Sequence, residues 1–330
     1  MTMHSTETSI NLTGLLAGLM PGYLQSWGLL DVVALHSTPS RTEDTKFLSP
    51  LEHMKLVRVP TYGTLILQNL SSQGVVIVPM HVGFFQVGAQ NHATSHIVIL
   101  GAGRTQEVKD CFCIQQSQGG FLKEAQQRFI ILPLALRKAA LDKRGTVGYA
   151  RLWQDIDGYN RRYGIARGGH LERFLRPYFS RLLPYRHALE IEPGQVGAAY
   201  FIAGKLVGVE VAPNSAYWED IEPILTIYCY GSAALLGERR NMQAVRQAID
   251  VEGLSDIDDL ARRLAETREQ EHAGRVKLIE EVSGQAWDFS VEAETQGLRI
   301  VHLTHGEWAG QMVKDGQNIV YLSAFRDVTV

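Results

Sequence analysis

The residues best suited to chemistry lie together between residues 75 and 100. Two β-branched runs, 75–78 and 96–100, flank a segment holding Gly83, Gln86, Gly88, Gln90, Asn91 and His92. A glycine such as Gly88 lets a ligand approach the backbone, and the amides of Gln90 and Asn91 both donate and accept hydrogen bonds. An imidazole such as His92 is suited to acid/base catalysis near neutral pH. The segment therefore suits a polar pocket for a small molecule or nucleotide sugar. The same residue types also build plain turns, in which Asn and Gln satisfy backbone groups.

Three other constellations compete with it. His92 and His96 share strand parity, as do Cys111 and Cys113, so paired strands could bring several metal-binding atoms together. No recognised zinc spacing is present, and Cys-x-Cys on a strand more commonly marks two apolar-facing residues. No metal site is therefore assigned. Cys113 beside His92 or His96 could act as a nucleophile, but Phe112 and Ile114 predict a buried, inert thiol. Arg161, Arg162, Arg167, Arg173, Arg176, Arg181 and Arg186 form a basic face. A solvated helical surface explains that face, with a phosphate contact as the alternative.

Two apparent phosphate loops fail on inspection. Gly101-Ala102-Gly103-Arg104-Thr105-Gln106 lacks the third glycine, and a strand-like segment follows it where a helix N-terminus is needed. Gly204-Lys205 lacks the partner glycine and hydroxyl, since Ala199 and Leu206 stand at those positions.

The elements that must carry these residues can be read in order. The 330 residues carry a net charge of -3, which gives no global pull toward nucleic acid or an anionic membrane. Three cysteines in a chain of this size predict reduced thiols. No basic n-region precedes the apolar residues 12–35, and no run reaches the ~18 apolar residues of a membrane span. A cytoplasmic location is the expectation. Residues 12–27 suggest a short helix broken at Pro21, and 29–35 a buried strand. Ser49-Pro50 opens a helix. Short strands then run to Ile114, and residues 121–141 suit a helix interrupted at Pro133. Helical faces follow at 152–163 and 171–182, then a hairpin at 195–211 and a helix at 217–236 opened by Asn214 or Ser215. A long charged helix starts at Ser255, with Glu271 and Arg275 as i,i+4 partners. A strand-rich tail turns at Asp315-Gly316. The pattern predicts an α+β protein: an antiparallel β-sandwich-like sheet with packed helices and a second small β unit. The expected division is 28–236 for the main domain and 237–330 for a helical and β extension.

Residues 29–236 resemble the ARG and rhodanese-phosphatase superfamily-associated protein domain family of bacteria and viruses. The residues carrying the resemblance are Gly83, Gly88-Ala89-Gln90-Asn91, Cys113, Trp153, the hairpin glycines Gly197, Gly204 and Gly208, Glu210 as the strand-end acid, and Tyr230. Phe84 stands where the family usually has Glu, His92 where it prefers Arg, and Gln115 where it has an acid. Gly119-Gly120 replaces an Arg-Trp pair. The resemblance implies binding or processing of an NAD- or ADP-ribose-like nucleotide in stress or phage-conflict settings. On that reading His92 and Glu210 are the catalytic candidates, and Gly88, Gln90, Asn91 and Tyr230 line the ligand pocket. The lost acids motivate the alternative, a non-catalytic interaction or regulatory module. Whether the chain is an enzyme, which cofactor it takes and which protein it partners stay open. Membrane and nucleic acid are not expected partners.

Overall fold

A computed structural model describes residues 9–11, 16, 18–85, 90–116, 128–166 and 168–327. Its backbone is a nine-stranded antiparallel sheet. From edge to edge the strands are Ser9–Asn11, Ala286–Thr295, Leu298–His305, Trp308–Asp315, Asn318–Arg326, Lys205–Val211, Gln195–Ile202, Leu30–His36 and Met20–Trp27. The hairpin expected at 195–211 lies inside this sheet. It turns at Ala203 (φ 47°) and Gly204 (φ 78°), both left-handed as a type I′ turn requires. Segments from both sides of residue 236 share the sheet, with Val211 opposite Leu322.

Strand alternation gives the sheet two apolar faces. Val32, Tyr200, Val207 and Tyr321 point into one core, and their neighbours Val33, Phe201, Leu206 and Leu322 into another. The second core is closed by the helix Ile257–Ser283 through Ile279. Most of that helix is exposed. Its cap is Asp256, one residue beyond Ser255, and the carboxylate accepts from the N–H groups of Asp258 and Asp259. Arg275 does not pair with Glu271. It joins Arg246 on Asp31, a fully buried carboxylate in the sheet. A charge-assisted bond to a buried acceptor outranks an exposed i,i+4 pair worth a few tenths of a kcal/mol.

The first core holds three smaller sheets. One joins Val98–Leu100, Val75–Val78 and Phe47–Leu48. A second joins Thr105–Val108, Thr64–Asn69 and Met54–Thr61. The third joins Phe112–Cys113, His92–Ala93, Val82–Phe85 and Arg128–Ile131. Helices Leu134–Lys143, Trp153–Arg162 and Glu172–Ala188 pack on this half. A broken rod joins them: Ser215–Ile224, a π-helical turn Leu225–Tyr230, and Gly231–Arg239. Asn214 caps it by accepting from Tyr217 N, and Pro223, which has no N–H, precedes the π turn. The molecule is an α+β protein built on antiparallel sheet.

Parts of two expected helices are strands, and residues 12–15 and 17 of the first lie outside the described residues. Met20–Trp27 is the edge strand of the large sheet, with its register shifted between Pro21 and Leu24. An edge tolerates a proline because one side of the strand needs no donor. Of the helix expected over 121–141, residues 121–127 lie outside the described residues, Arg128–Ile131 is a strand paired with Val82–Phe85, and the remainder is helical from Leu134 onward. The tail turn centres on Gly316-Gln317, with a positive φ at Gly316 alone, the sign pattern of a type II′ turn.

Candidate functional site

The amide-imidazole corner is interior. Gln90, Asn91 and His92 are all buried, and Gly88 lies outside the described residues. The strand His92–Ala93 puts His92 opposite Cys113. Asn91 N donates to Gln115 Oε1 at 3.1 Å, and Cys113 Sγ sits 3.3 Å from Gln90 Oε1. His92 has both ring nitrogens engaged: Nδ1 donates to the Gln90 carbonyl at 2.8 Å, and Nε2 accepts from Gly63 N at 3.1 Å. That pattern fixes the neutral tautomer, and burial lowers the imidazole's pKa in agreement. His92 is a structural crosslink in this arrangement.

One layer outward lies an open cleft of about 920 Å3, lined by residues that include Gln116, Arg151, Trp153, Asp157, Arg161 and Gly168. Its wall is bonded to the corner. Cys113 N donates to the Tyr149 carbonyl, the Trp153 indole lies beside the Cys113 thiol, and Leu171 N donates to the Ile114 carbonyl. Gly169 N donates to Gln116 Oε1, and Gly168 N to Asp157 Oδ1, each at 2.7 Å. Tyr149 stands edge-on to Trp153, with centroids 5.9 Å apart, and Tyr62 lies 4.8 Å from Tyr149. Arg151 is committed to the fold. It binds the Lys143, Thr146 and Asp110 carbonyls and the Asp110 carboxylate, and it lies over the Phe112 ring. Arg161 is more than half exposed and pairs only loosely with Asp157, Nε to Oδ2 at 3.1 Å.

Glu210 and Tyr230 come together elsewhere, in a sealed ionic centre. The sheet register sets Glu210 directly opposite Ser323. Glu210 Oε1 accepts from Arg137 Nη1 at 2.6 Å and from the Tyr230 hydroxyl at 2.7 Å. Arg137 also donates to Ser323 Oγ and covers the Phe325 ring at 4.2 Å. Tyr230 stacks on Tyr200 with centroids 3.9 Å apart. Gly208 makes room for this stack, since a Cβ there would sit 2.0 Å from the Tyr230 hydroxyl. Burial pulls the Arg137 pKa down, but Glu210, Cys229 and Tyr230 outweigh it and raise it above its ordinary value. Among the described residues Glu210 Oε2 and Arg137 Nε have no hydrogen-bond partner. The corner and the ionic centre are thus held by different partners, Cys113 and Gln115 for one, Arg137 and Tyr230 for the other.

His96 and Cys111 do not join the paired His92 and Cys113. His96 binds Ser95 Oγ, which also reaches Asp110, while Cys111 Sγ faces the Val108 carbonyl. Among the described residues no three His, Cys, Asp or Glu side chains are placed to hold a metal ion. All three cysteines are unbridged and buried. Burial pushes the Cys113 thiol up and Cys111 up to about 12, against nucleophilic use at neutral pH. Among the described residues no helix is long and apolar enough to cross a membrane.

Sequence reasoning missed Asp157, Gln116 and Arg137. Trp153, Asp157 and Arg161 recur every four residues, a helical-face signal that was readable. Arg137 gives no such signal, because nothing in a run of Leu, Ala and Lys marks which cation turns inward.

The fold and cleft define a mixed α+β domain with a solvent-open polar and aromatic cleft. The family model for the ARG and Rhodanese-Phosphatase-superfamily-associated Protein domain matches residues 20–325, and the chain belongs to that family. The match runs past residue 236 and takes in the tail strands. No curated protein and no solved structure is significantly similar to the chain.

Proposed function

We propose that the protein binds a nucleotide of the NAD or ADP-ribose type, and that the ligand lies in the cleft bounded by Gln116, Trp153, Asp157, Arg161 and Gly168. The observation that carries this reading is the combination of size and lining. A volume of about 920 Å3 falls in the range of small-molecule and cofactor sites, and an aromatic ring stands there beside a carboxylate, amides and a loosely held guanidinium. On this reading Gln90, Asn91 and His92 form the support behind the cleft wall and fix Cys113 and Gln115. Glu210 and Tyr230 anchor the sheet to its helices. The exposed wall explains why loss of the family's acids at Phe84 and Gln115 is compatible with binding, since both positions are buried.

A thermal-shift panel tests it. For 330 residues the unfolding entropy is about 0.7 kcal/mol per degree. A ligand at 100 times its Kd adds about 2.7 kcal/mol and should raise Tm by about 4 °C. NAD or ADP-ribose should produce that shift. If no adenine nucleotide moves Tm at millimolar concentration, the protein is better read as a binding-silent interaction module.

A further inference from the structure

Trp153, Asp157 and Arg161 all line the cleft and all lie on the helix Trp153–Arg162. Their spacing of four residues puts them on one face, about 6 Å apart along the axis. An aromatic ring, a carboxylate and a guanidinium in that order match the order of groups along a nucleotide. We infer that this helix face is a ruler for a ribonucleotide: Trp153 stacks the base, Asp157 accepts the ribose hydroxyls, and Arg161 holds the phosphates. This inference rests on the proposed nucleotide reading of the cleft and names which groups of the ligand it recognises.

Each assignment has its own support. Trp153 is braced from behind, with Tyr149 edge-on to it and Gly169 packed against its Cβ so closely that any side chain there would collide. A braced indole loses little entropy when a base stacks on it, and such stacking is worth about 1–3 kcal/mol. Asp157 is aimed by the Gly168 N–H bond to Oδ1, leaving Oδ2 on the side of Arg161. A carboxylate fixed in this way is the usual acceptor for ribose hydroxyls. Arg161 is the movable member. Its pair with Asp157 is exposed, and such pairs are worth about 0–1 kcal/mol, so a phosphate competes for it easily. Swinging Arg161 to a phosphate also frees Asp157 Oδ2 for the sugar, so both contacts form in one exchange.

The test measures affinities of ADP, 2′-deoxy-ADP and adenosine for the wild-type protein and for Asp157→Asn, Arg161→Gln and Trp153→Leu. The amide oxygen introduced by Asp157→Asn can still accept from Gly168 N, so the fold is kept; Trp153→Leu removes a packed ring and lowers Tm, so all affinities are compared well below the Tm of every variant. Wild type should prefer ADP to 2′-deoxy-ADP about tenfold, and Asp157→Asn should erase that preference. Arg161→Gln should remove most of the advantage of ADP over adenosine, and Trp153→Leu should weaken all three ligands about tenfold or more. If ADP binds and Asp157→Asn weakens both diphosphates equally, the ruler is wrong while the nucleotide reading stands. If ADP binds and Trp153→Leu has no effect, the ligand lies elsewhere. If none of the three ligands binds wild type, the ruler fails, while the nucleotide reading stands or falls with the NAD and ADP-ribose thermal shifts.

Discussion

Arg137→Met should destabilise the protein by about 3–5 kcal/mol, because it leaves Glu210 as an unpaired charge in a dry site. The pair is nearly inaccessible, with side chains 1% and 2% exposed, so solvent screening does not soften the loss. Glu210 would keep only the Tyr230 hydroxyl. With about 0.7 kcal/mol per degree for a chain of this length, Tm should fall by about 4–7 °C. Glu210→Gln should cost a similar amount, now from the stranded guanidinium. The double variant should cost clearly less than the two singles together, with a coupling of about 2 kcal/mol or more, because two neutral groups of similar shape replace the ion pair. Urea denaturation of all four proteins at 25 °C measures this cycle. Singles that each cost under about 1 kcal/mol, or a strictly additive double, would refute the claim that the ionic centre fastens helix Leu134–Lys143 to the large sheet.

Further outcomes follow from the same structure. Gly208→Ala should lose about 1–3 kcal/mol in urea denaturation by displacing the Tyr230 ring, whereas Gly103→Ala, with open space around it, should lose less through backbone strain alone. Burial lowers the pKa of His81, His92 and His96, His81 most plainly, with Arg137 and Arg144 adding to the effect. The unfolded chain then binds more protons below the ordinary value of 6.5, so stability is full above that pH and falls as acid is added. The slope approaches about 1.4 kcal/mol per pH unit for each imidazole still neutral. His81→Asn, which suits the left-handed φ of 67°, should flatten the urea-midpoint profile between pH 5 and about 6.5. Burial raises the Glu222 pKa above 4.5, so its native state is penalised as pH rises through that window. Glu222→Gln should therefore raise Tm at pH 7.5 and have little effect near pH 4, and equal shifts at both values would contradict the assignment.

The fold class could be read because its signals are local. The hairpin turn at Ala203-Gly204, the Ser49 and Asn214 caps and the alternation along 195–211 each follow from adjacent residues. What could not be read depends on distant partners. Residues 20–27 have helix-compatible apolar spacing and become a strand because Leu30–His36 offers an edge. Arg275 leaves Glu271 because Asp31, 244 residues away in sequence, is buried and needs two cations. The site divided in the same way. The glycine-amide segment was visible, yet residue types do not say that His92 spends both nitrogens on Gln90 and Gly63. The cleft is assembled from the helix Trp153–Arg162, Gln116 and Gly168, which no single stretch of chain announces.

Hydrogen–deuterium exchange with and without saturating ADP-ribose tests the central claim most directly. Binding in the cleft should slow exchange in residues 149–161 and at Gln116 and Gly168, and leave the 205–211 and 318–326 strands around Glu210 unchanged. Unaltered exchange throughout the chain, or protection confined to the Glu210 strands, would contradict it.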